Sequence, residues 1–206
     1  MMNQGIFSRM FKMGLPALAA LFLLAGCAPT LSAKVTSFQQ WPTGVEGQAY
    51  RFDAPDNEQN ALEYAAYQDM MRAAIGATGL VEAKGNAPAK FRVSFHYGGE
   101  AIQVVRSQSA DPYFYGGLGH FHGPWGWGGM YSPAWVNVVE DAWRHALTVE
   151  IRDTSRNNAE VYRSTATTVG GDSSTLPSVM PYLVQAVFDN FPGNNGQVRE
   201  VRYRRQ

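Results

Sequence analysis

The sequence predicts an α+β fold in which an antiparallel or mixed β-sheet carries two helices packed on one face. Three observations lead to this fold class. Several short runs alternate apolar and polar residues, two longer segments repeat an apolar residue about every fourth position, and the segments follow the order β-β-α-β-β-β-β-α. A long loop separates the fourth and fifth predicted strands, and a signal peptide and a short tether precede the fold. We find no internal repeat and predict no second core.

The first 26 residues have the pattern of a bacterial export signal. Arg9 and Lys12 make the start positively charged, and the apolar run "GLPALAALFLLAGC" that follows is too short to rest in a membrane as a spanning helix. It ends in "LAGC", which is similar to the lipobox, the motif in which small residues lead to a cysteine that is lipidated and becomes the mature N-terminus. We therefore predict a lipoprotein signal peptide over residues 1–26. No later stretch has the roughly 18 consecutive apolar residues that a transmembrane helix needs.

Cys27 is the only cysteine of the chain, and it stands where the lipobox requires it. The alternative is an ordinary signal peptide in which Cys27 is incidental. Acyl chains such as palmitate on this residue would anchor the protein stably, because each buried methylene contributes about 0.8 kcal/mol. An Asp after the cysteine is the usual inner-membrane retention signal of Gram-negative lipoproteins, whereas Ala28 and Pro29 follow here. We expect the periplasmic face of the outer membrane, with residues 27–34 as a lipidated tether.

The charge of the mature chain is close to neutral. The sequence has 17 basic and 17 acidic residues, and two of the basic ones lie in the signal peptide, which leaves a formal charge near −2. This balance argues against nucleic acid as a partner, because phosphate binding rests on clustered Lys and Arg. Only the tail over residues 196–206 is locally basic, and we interpret it as a frayed, solvated terminus.

A single α+β domain is predicted over residues 35–195, since a chain of this length suits one core. Its first two strands are "KVTSFQQW" and "QAYRFD", separated by a turn rich in Pro and Gly. The helical spacing of Leu62, Ala66 and Met70 then predicts an amphipathic helix over residues 56–78. "LVEA" is a short strand candidate after this helix.

The clearest strand of the sequence is "KFRVSFHY". Phe91, Val93 and Phe95 share one face of it, and His96 lies on the polar face. "EAIQVVRSQ" extends the strand beyond a bend, since the paired glycines at 98–99 favour a bulge or a kink.

Regular alternation resumes in "AWRHALTVEIRD". His145 shares a face there with Leu147 and Val149, so we expect it among core side chains. A hairpin turn at "TSRNNAE" leads to the strand "VYRSTATTV", which is rich in β-branched residues. Val179 and Leu183 begin the helical repeat of the second helix, which ends at "FPG".

Residues 111–135 form a loop rich in glycine and aromatic residues, with no helix or strand period. Aromatic rings offer large apolar area at low entropic cost, and glycines allow close approach, so this loop is the candidate binding surface. Four uses remain open: a cover on the domain's own sheet, insertion of Trp side chains at the lipid interface beside the tether, stacking on sugar rings of peptidoglycan or lipopolysaccharide, and a mobile insertion without a partner. The candidate binding residues are Tyr113, Phe114, Tyr115, His120, Phe121, His122, Trp125, Trp127 and Tyr131.

The chain resembles a known family, the Gram-negative outer-membrane lipoproteins called domain of unknown function 4136. The resemblance rests on the lipobox at Cys27, on "AYRFDAPDN" before a long helix, and on "GLVEAKGNAPAKFRVSFHY". It continues in "ALTVEIRDTSRNNAEVYRSTAT", where Tyr162 stands at a position that is often Trp, and in the final helix ending in "FPG". The family has no assigned activity, so the resemblance implies the lipoprotein class and transfers no catalytic residue.

Two functions from different classes are compatible with these patterns. The first is a non-catalytic outer-membrane lipoprotein whose domain is an envelope binding or scaffold module, without a cofactor. Its candidate partners, besides the membrane that holds the anchor, are an envelope protein, peptidoglycan or lipopolysaccharide. The alternative is a metal-binding or hydrolytic lipoprotein that uses His120 and His122, although a zinc or copper site needs three or four ligands at suitable spacing.

The sequence shows no catalytic constellation. No serine lies in a nucleophile elbow, and the only cysteine is the predicted lipid acceptor. Glu140 and Asp141 are adjacent, which in a strand directs their side chains to opposite faces. We therefore predict that the protein is not an enzyme, and we assign no catalytic residue and no metal ligand.

Overall fold

The structure is a computed structural model, and it describes residues 30–55, 60–110 and 134–204. These ranges contain seven β-strands and two α-helices. Their bounds are β1 Thr30–Gln39, β2 Ala49–Phe52, α1 Ala61–Gly76, β3 Val81–Glu82, β4 Phe91–Ala110, β5 Ala134–Asp153, β6 Ala159–Val169, α2 Leu176–Phe188 and β7 Val198–Arg204.

The seven strands form one mixed sheet in the order β3-β2-β4-β5-β6-β1-β7. β2 runs parallel to both β3 and β4, whereas the pairs β4–β5, β5–β6 and β1–β6 are antiparallel. Residues 33–201 form one compact unit, while residues 1–32 and 202–206 are assigned to another, of which only short ends of β1 and β7 are described. The predicted α+β class with a mixed sheet is confirmed.

Both helices pack on the same face of this sheet. The ring of Tyr64 in α1 stacks on Phe95 of β4 with centroids 4.5 Å apart, and the Tyr162 hydroxyl of β6 donates a 2.6 Å hydrogen bond to the Val187 carbonyl of α2. The strand register places Phe95 and Tyr162 on one face of the sheet. Burial of apolar side chains between this face and the helices is the main source of the domain's stability. The largest fully buried apolar side chains there are Tyr50, Met71, Ile75, Phe91, Val93, Leu147, Ile151, Tyr162, Met180 and Leu183.

Three predicted boundaries are wrong. The tether predicted over residues 27–34 ends earlier, because β1 begins at Thr30 and Ala33 and Val35 are fully buried. The tail predicted over residues 196–206 contains β7, so its charged residues belong to a strand and not to a frayed end. β5 begins at Ala134, so the last two residues of the predicted loop, Ala134 and Trp135, belong to this strand. Helix α1 starts at Ala61, and residues 56–59 of the predicted helix lie outside the described residues.

β4 and β5 pair over 20 consecutive positions, from Phe91 opposite Asp153 to Ala110 opposite Ala134. β6 accompanies β5 only as far as Arg144, which pairs with Val169. Residues 101–110 of β4 and 134–143 of β5 therefore extend past the rest of the sheet as a two-stranded ribbon, which we call the arm. At about 3.3 Å per residue the arm is about 33 Å long.

Candidate functional site

The binding residues predicted from the sequence lie outside the described residues. Cys27 belongs to the range 1–29, and the nine aromatic and histidine positions from Tyr113 to Tyr131 belong to the range 111–133. The structure does show what flanks this second range. Ala110 and Ala134 pair with each other as the last described pair of the arm, so the arm carries the predicted binding loop at its far end.

One face of the arm exposes large apolar side chains. Val105 and Val139 form a directly opposed cross-strand pair and remain 66% and 58% exposed, and Trp135 nearer the far end is 69% exposed. Exposed apolar side chains scattered singly are ordinary, whereas several along one narrow ribbon mark an interaction surface. The sequence argument missed this surface, although "WVNVV" was available as a signal.

The opposite face of the arm carries ion pairs near its base. Arg144 donates a 2.7 Å hydrogen bond to Glu100 across the strands, and the Arg106 Nε lies 3.4 Å from the Glu140 carboxylate. All these side chains are well exposed to solvent, so each pair contributes at most about 1 kcal/mol to stability. Their main effect is on charge, because they neutralise the part of the arm that adjoins the sheet.

His145 is fully buried at the base of the arm, as the alternation in the sequence predicted. Neither ring nitrogen has a hydrogen-bond partner among the described residues. Gly99 lies directly opposite, and a Cβ added to Gly99 would be 3.0 Å from His145 Nδ1. The β4–β5 register runs through the two glycines without a shift, so β4 continues past them as predicted and no bulge lies there. Gly99 instead provides space for the imidazole ring.

A cluster of charged side chains lies around Glu150 of β5, on the face of the sheet that carries no helix. Only 8% of Glu150 is exposed, and its carboxylate oxygens lie 3.0 Å from Arg152 and 3.0 Å from Arg163. Arg163 also bonds Glu160 at 2.6 Å, and this hydrogen bond, followed by the Glu150 charge, raises the pKa of the Arg163 guanidinium. The charges of the two Arg and the two Glu side chains cancel. The Arg side chains therefore stabilise the buried Glu150 carboxylate, and the cluster offers little net charge to a ligand.

A cavity of about 430 Å³ borders this cluster where β2 ends and the edge of β4 is uncovered. Its lining includes His96, which is exposed on the helix-free face as predicted. The described residues contain no group of three or more His, Cys, Asp or Glu side chains arranged to hold a metal ion. The predicted histidine pair of the alternative function, His120 and His122, lies outside the described residues.

Comparison with known proteins gives a family and a fold. The model of the family described as "Domain of unknown function (DUF4136)" matches residues 34–193. No curated protein matches the chain. Among the described helices, none is long and apolar enough to cross a membrane.

Solved structures are similar to the chain at low sequence identity. A PDZ domain protein from Parabacteroides distasonis is similar with a TM-score of 0.52 and 9% identity, over 91% of this chain and 42% of that one. The chain thus spans less than half the length of this relative. A PelC dodecamer from Paraburkholderia phytofirmans has a TM-score of 0.42 and 15% identity, over 79% of this chain and 99% of that one. A likeness at such identities concerns the fold alone.

Proposed function

Since the chain belongs to the family described as domain of unknown function (DUF4136), we propose that it is a non-catalytic lipoprotein of the cell envelope, anchored through Cys27 to the periplasmic face of the outer membrane. Its α+β domain acts as a binding or scaffold module for another envelope component, and the arm is the element that makes the contact.

The observation that carries this proposal is the arm itself. It extends ten residue pairs past the nearest part of β6, and Val105, Val139 and Trp135 are each more than half exposed along it. An isolated two-stranded ribbon is marginally stable in water, because it cannot bury an apolar face. A partner that covers these side chains would supply the missing burial, at about 25 cal/mol per Å² of apolar surface.

The anchoring part of the proposal rests on the chain's first 27 residues. A positively charged start, an apolar run and the "LAGC" motif precede a domain whose first strand begins only three residues after Cys27. A lipid on Cys27 would therefore hold the folded domain close to the membrane surface.

Site-specific photo-crosslinking in intact cells tests the binding role. A photoreactive amino acid at Val139 places the probe on the arm, and one at Val81 of β3, which is 55% exposed, serves as a matched control away from it. We expect adducts with an envelope component from position 139 and none above background from position 81. Equal labelling from both positions, or none from either, would refute the arm as the contact element.

A further inference from the structure

The arm and the start of the domain point in the same direction. Lys34 of β1 and Ala146 of β5 both pair with Thr167 of β6, so they lie at the same level of the sheet. β1 and β5 are each antiparallel to β6 and therefore parallel in direction to each other. Moving upstream along β1 from Lys34 is thus the same direction as moving upstream along β5 from Ala146 toward the far end of the arm.

Chain length limits how far Cys27 can lie from the sheet. Seven residues separate Cys27 from Lys34, and a fully extended chain spans at most about 3.6 Å per residue, or about 25 Å in all. Twelve residues separate Ala146 from Ala134, and at about 3.3 Å per residue this strand spans about 40 Å. The far end of the arm therefore reaches about 15 Å farther along this direction than the cysteine can.

The composition of the arm changes at the level that Cys27 can reach. Val139 is seven residues upstream of Ala146, just as Cys27 is seven residues upstream of Lys34. From the Val105–Val139 pair outward, the only charged residue on residues 105–110 and 134–139 is Arg106. Closer to the sheet lie the charged residues Glu100, Glu140, Asp141 and Arg144.

We infer that the outer half of the arm, residues 105–110 and 134–139, contacts the surface of the lipid bilayer that holds the anchor. This inference rests on the proposed lipidation of Cys27, and it identifies the bilayer as the envelope component that the arm contacts. An arm standing upright would carry strand edges that no other described strand pairs with through the headgroup layer, which is about 5–8 Å thick on each side of the bilayer, into hydrocarbon, so the arm lies inclined along the interface. The face that carries Val105, Trp135 and Val139 then meets the interface, where Trp is favoured. Arg106 lies on the opposite face and keeps its ion pair with Glu140.

Depth-dependent fluorescence quenching on vesicles tests this contact in the full lipidated chain. The lipid uses the sulfur of Cys27, the only native cysteine, so a second cysteine can be labelled selectively with a fluorophore. Ser107→Cys places the label on the outer arm, on the same face as Val105 and Val139, and Val81→Cys places it on β3 as the control. The vesicles contain phosphatidylethanolamine, phosphatidylglycerol and a brominated phospholipid that quenches the label on contact.

We expect the label at position 107 to lose fluorescence on brominated vesicles and the label at position 81 to keep it. If the protein floats with the vesicles and both labels stay bright, the bilayer contact is refuted while the anchor stands. If the protein fails to float, the proposed anchoring and the bilayer contact both fail. Crosslinks from position 107 to an envelope protein, to glycan or to a second copy, with an unquenched label, would assign the arm to that partner instead.

Two variants distinguish a loss of bilayer contact from a loss of folding. Val139→Asp on the outer arm should reduce the quenching of the label at 107 without changing flotation, because a charge at this level opposes entry into the interface. Val81→Asp should leave the quenching unchanged. Circular dichroism of both variants shows whether the domain keeps its secondary structure, and equal quenching in the two folded variants would contradict a bilayer contact through this face.

Discussion

Gly99 and His145 form a steric pair at the base of the arm, since a Cβ on Gly99 would lie 3.0 Å from His145 Nδ1. The same Cβ would lie 3.4 Å from the Arg144 carbonyl oxygen and 3.4 Å from the Trp143 ring, so three neighbours restrict this position. Two glycines that look equivalent in the sequence therefore have different roles. The imidazole needs the space at Gly99, while a Cβ on Gly98 would meet nothing within 4 Å.

The first prediction follows from this difference. Gly99→Ala should lower the free energy of unfolding by about 1–3 kcal/mol, because overpacking displaces buried groups. Gly98→Ala is the matched control and should change it by less than about 0.5 kcal/mol. Urea denaturation of both variants measures the effect, and equal stability of the two would show that the ring at position 145 moves aside at little cost.

The second prediction concerns alkaline pH. The pKa of Tyr50 is raised from 10.0 to about 12. Burial is the largest cause, and the negative charge of Glu82 is the second. Because the pKa is higher in the folded state, the stability that this phenol contributes is fully present below pH 10 and is lost as pH rises to 12. Tyr50→Phe removes the ionisable group, so its free energy of unfolding should fall less than that of the parent between pH 10 and 12, by roughly 2–3 kcal/mol.

Urea denaturation of Tyr50→Phe and the parent protein at pH 7 and at several values above 10 checks this difference. Phe52 packs against the Tyr50 ring with centroids 5.5 Å apart, so the substitution keeps the aromatic contact and should change stability little at pH 7. Parallel curves for the two proteins across the alkaline range would contradict the assigned role of Tyr50.

The third prediction is that the domain folds without the glycine and aromatic loop. Replacing residues 113–131 by a short Gly-Ser linker should preserve cooperative unfolding, because loop length changes the closure cost by only about 0.6 kcal/mol per doubling. The described core is built from the sheet and the two helices, and Ala110 and Ala134 already pair at the end of the arm. Thermal melting by circular dichroism measures this, and a non-cooperative melt would place the loop's rings in the core.

The fourth prediction separates the proposed function from the metal-dependent alternative. A specific site that includes His120 and His122 would raise the melting temperature on addition of zinc or copper, because a ligand that binds only the native state stabilises it by mass action. We expect no shift with either metal for the protein lacking its signal peptide. A saturable shift that disappears in a variant with both histidines replaced by Ala would support the alternative.

The parts of the fold that the sequence predicts best are those where one face is buried. Phe91, Val93 and Phe95 alternate with polar residues because the helices cover one face of β4 and water covers the other. The same alternation predicted His145 in the core, since it lies on the same face of its strand as Leu147 and Val149. Where only one face of a strand is buried, the alternation of apolar and polar residues in the sequence shows which side chains lie in the core.

The arm could not be predicted in the same way. Both of its faces are largely exposed, so neither face selects apolar residues, and apolar side chains such as Val104 and Val105 occur on adjacent positions. β7 was not predicted for a different reason. Val201 and Tyr203 alternate with Arg202 and Arg204, which fits a strand, but the high charge of "VREVRYRR" favoured a solvated tail. The proposed contact surface therefore follows from strand pairing, and the apolar run "WVNVV" is its local signal in the sequence.

The anchor is the premise on which the envelope function and the bilayer contact both depend, and metabolic labelling with a fatty acid tests it most directly. Cells producing the full chain or its Cys27→Ser variant are labelled, and membranes are separated by density. We predict that the full chain incorporates the label and sediments with the outer membrane, while the variant incorporates none, because serine cannot replace the thiol. Fatty-acid incorporation and outer-membrane fractionation that persist in the Cys27→Ser variant would contradict the account.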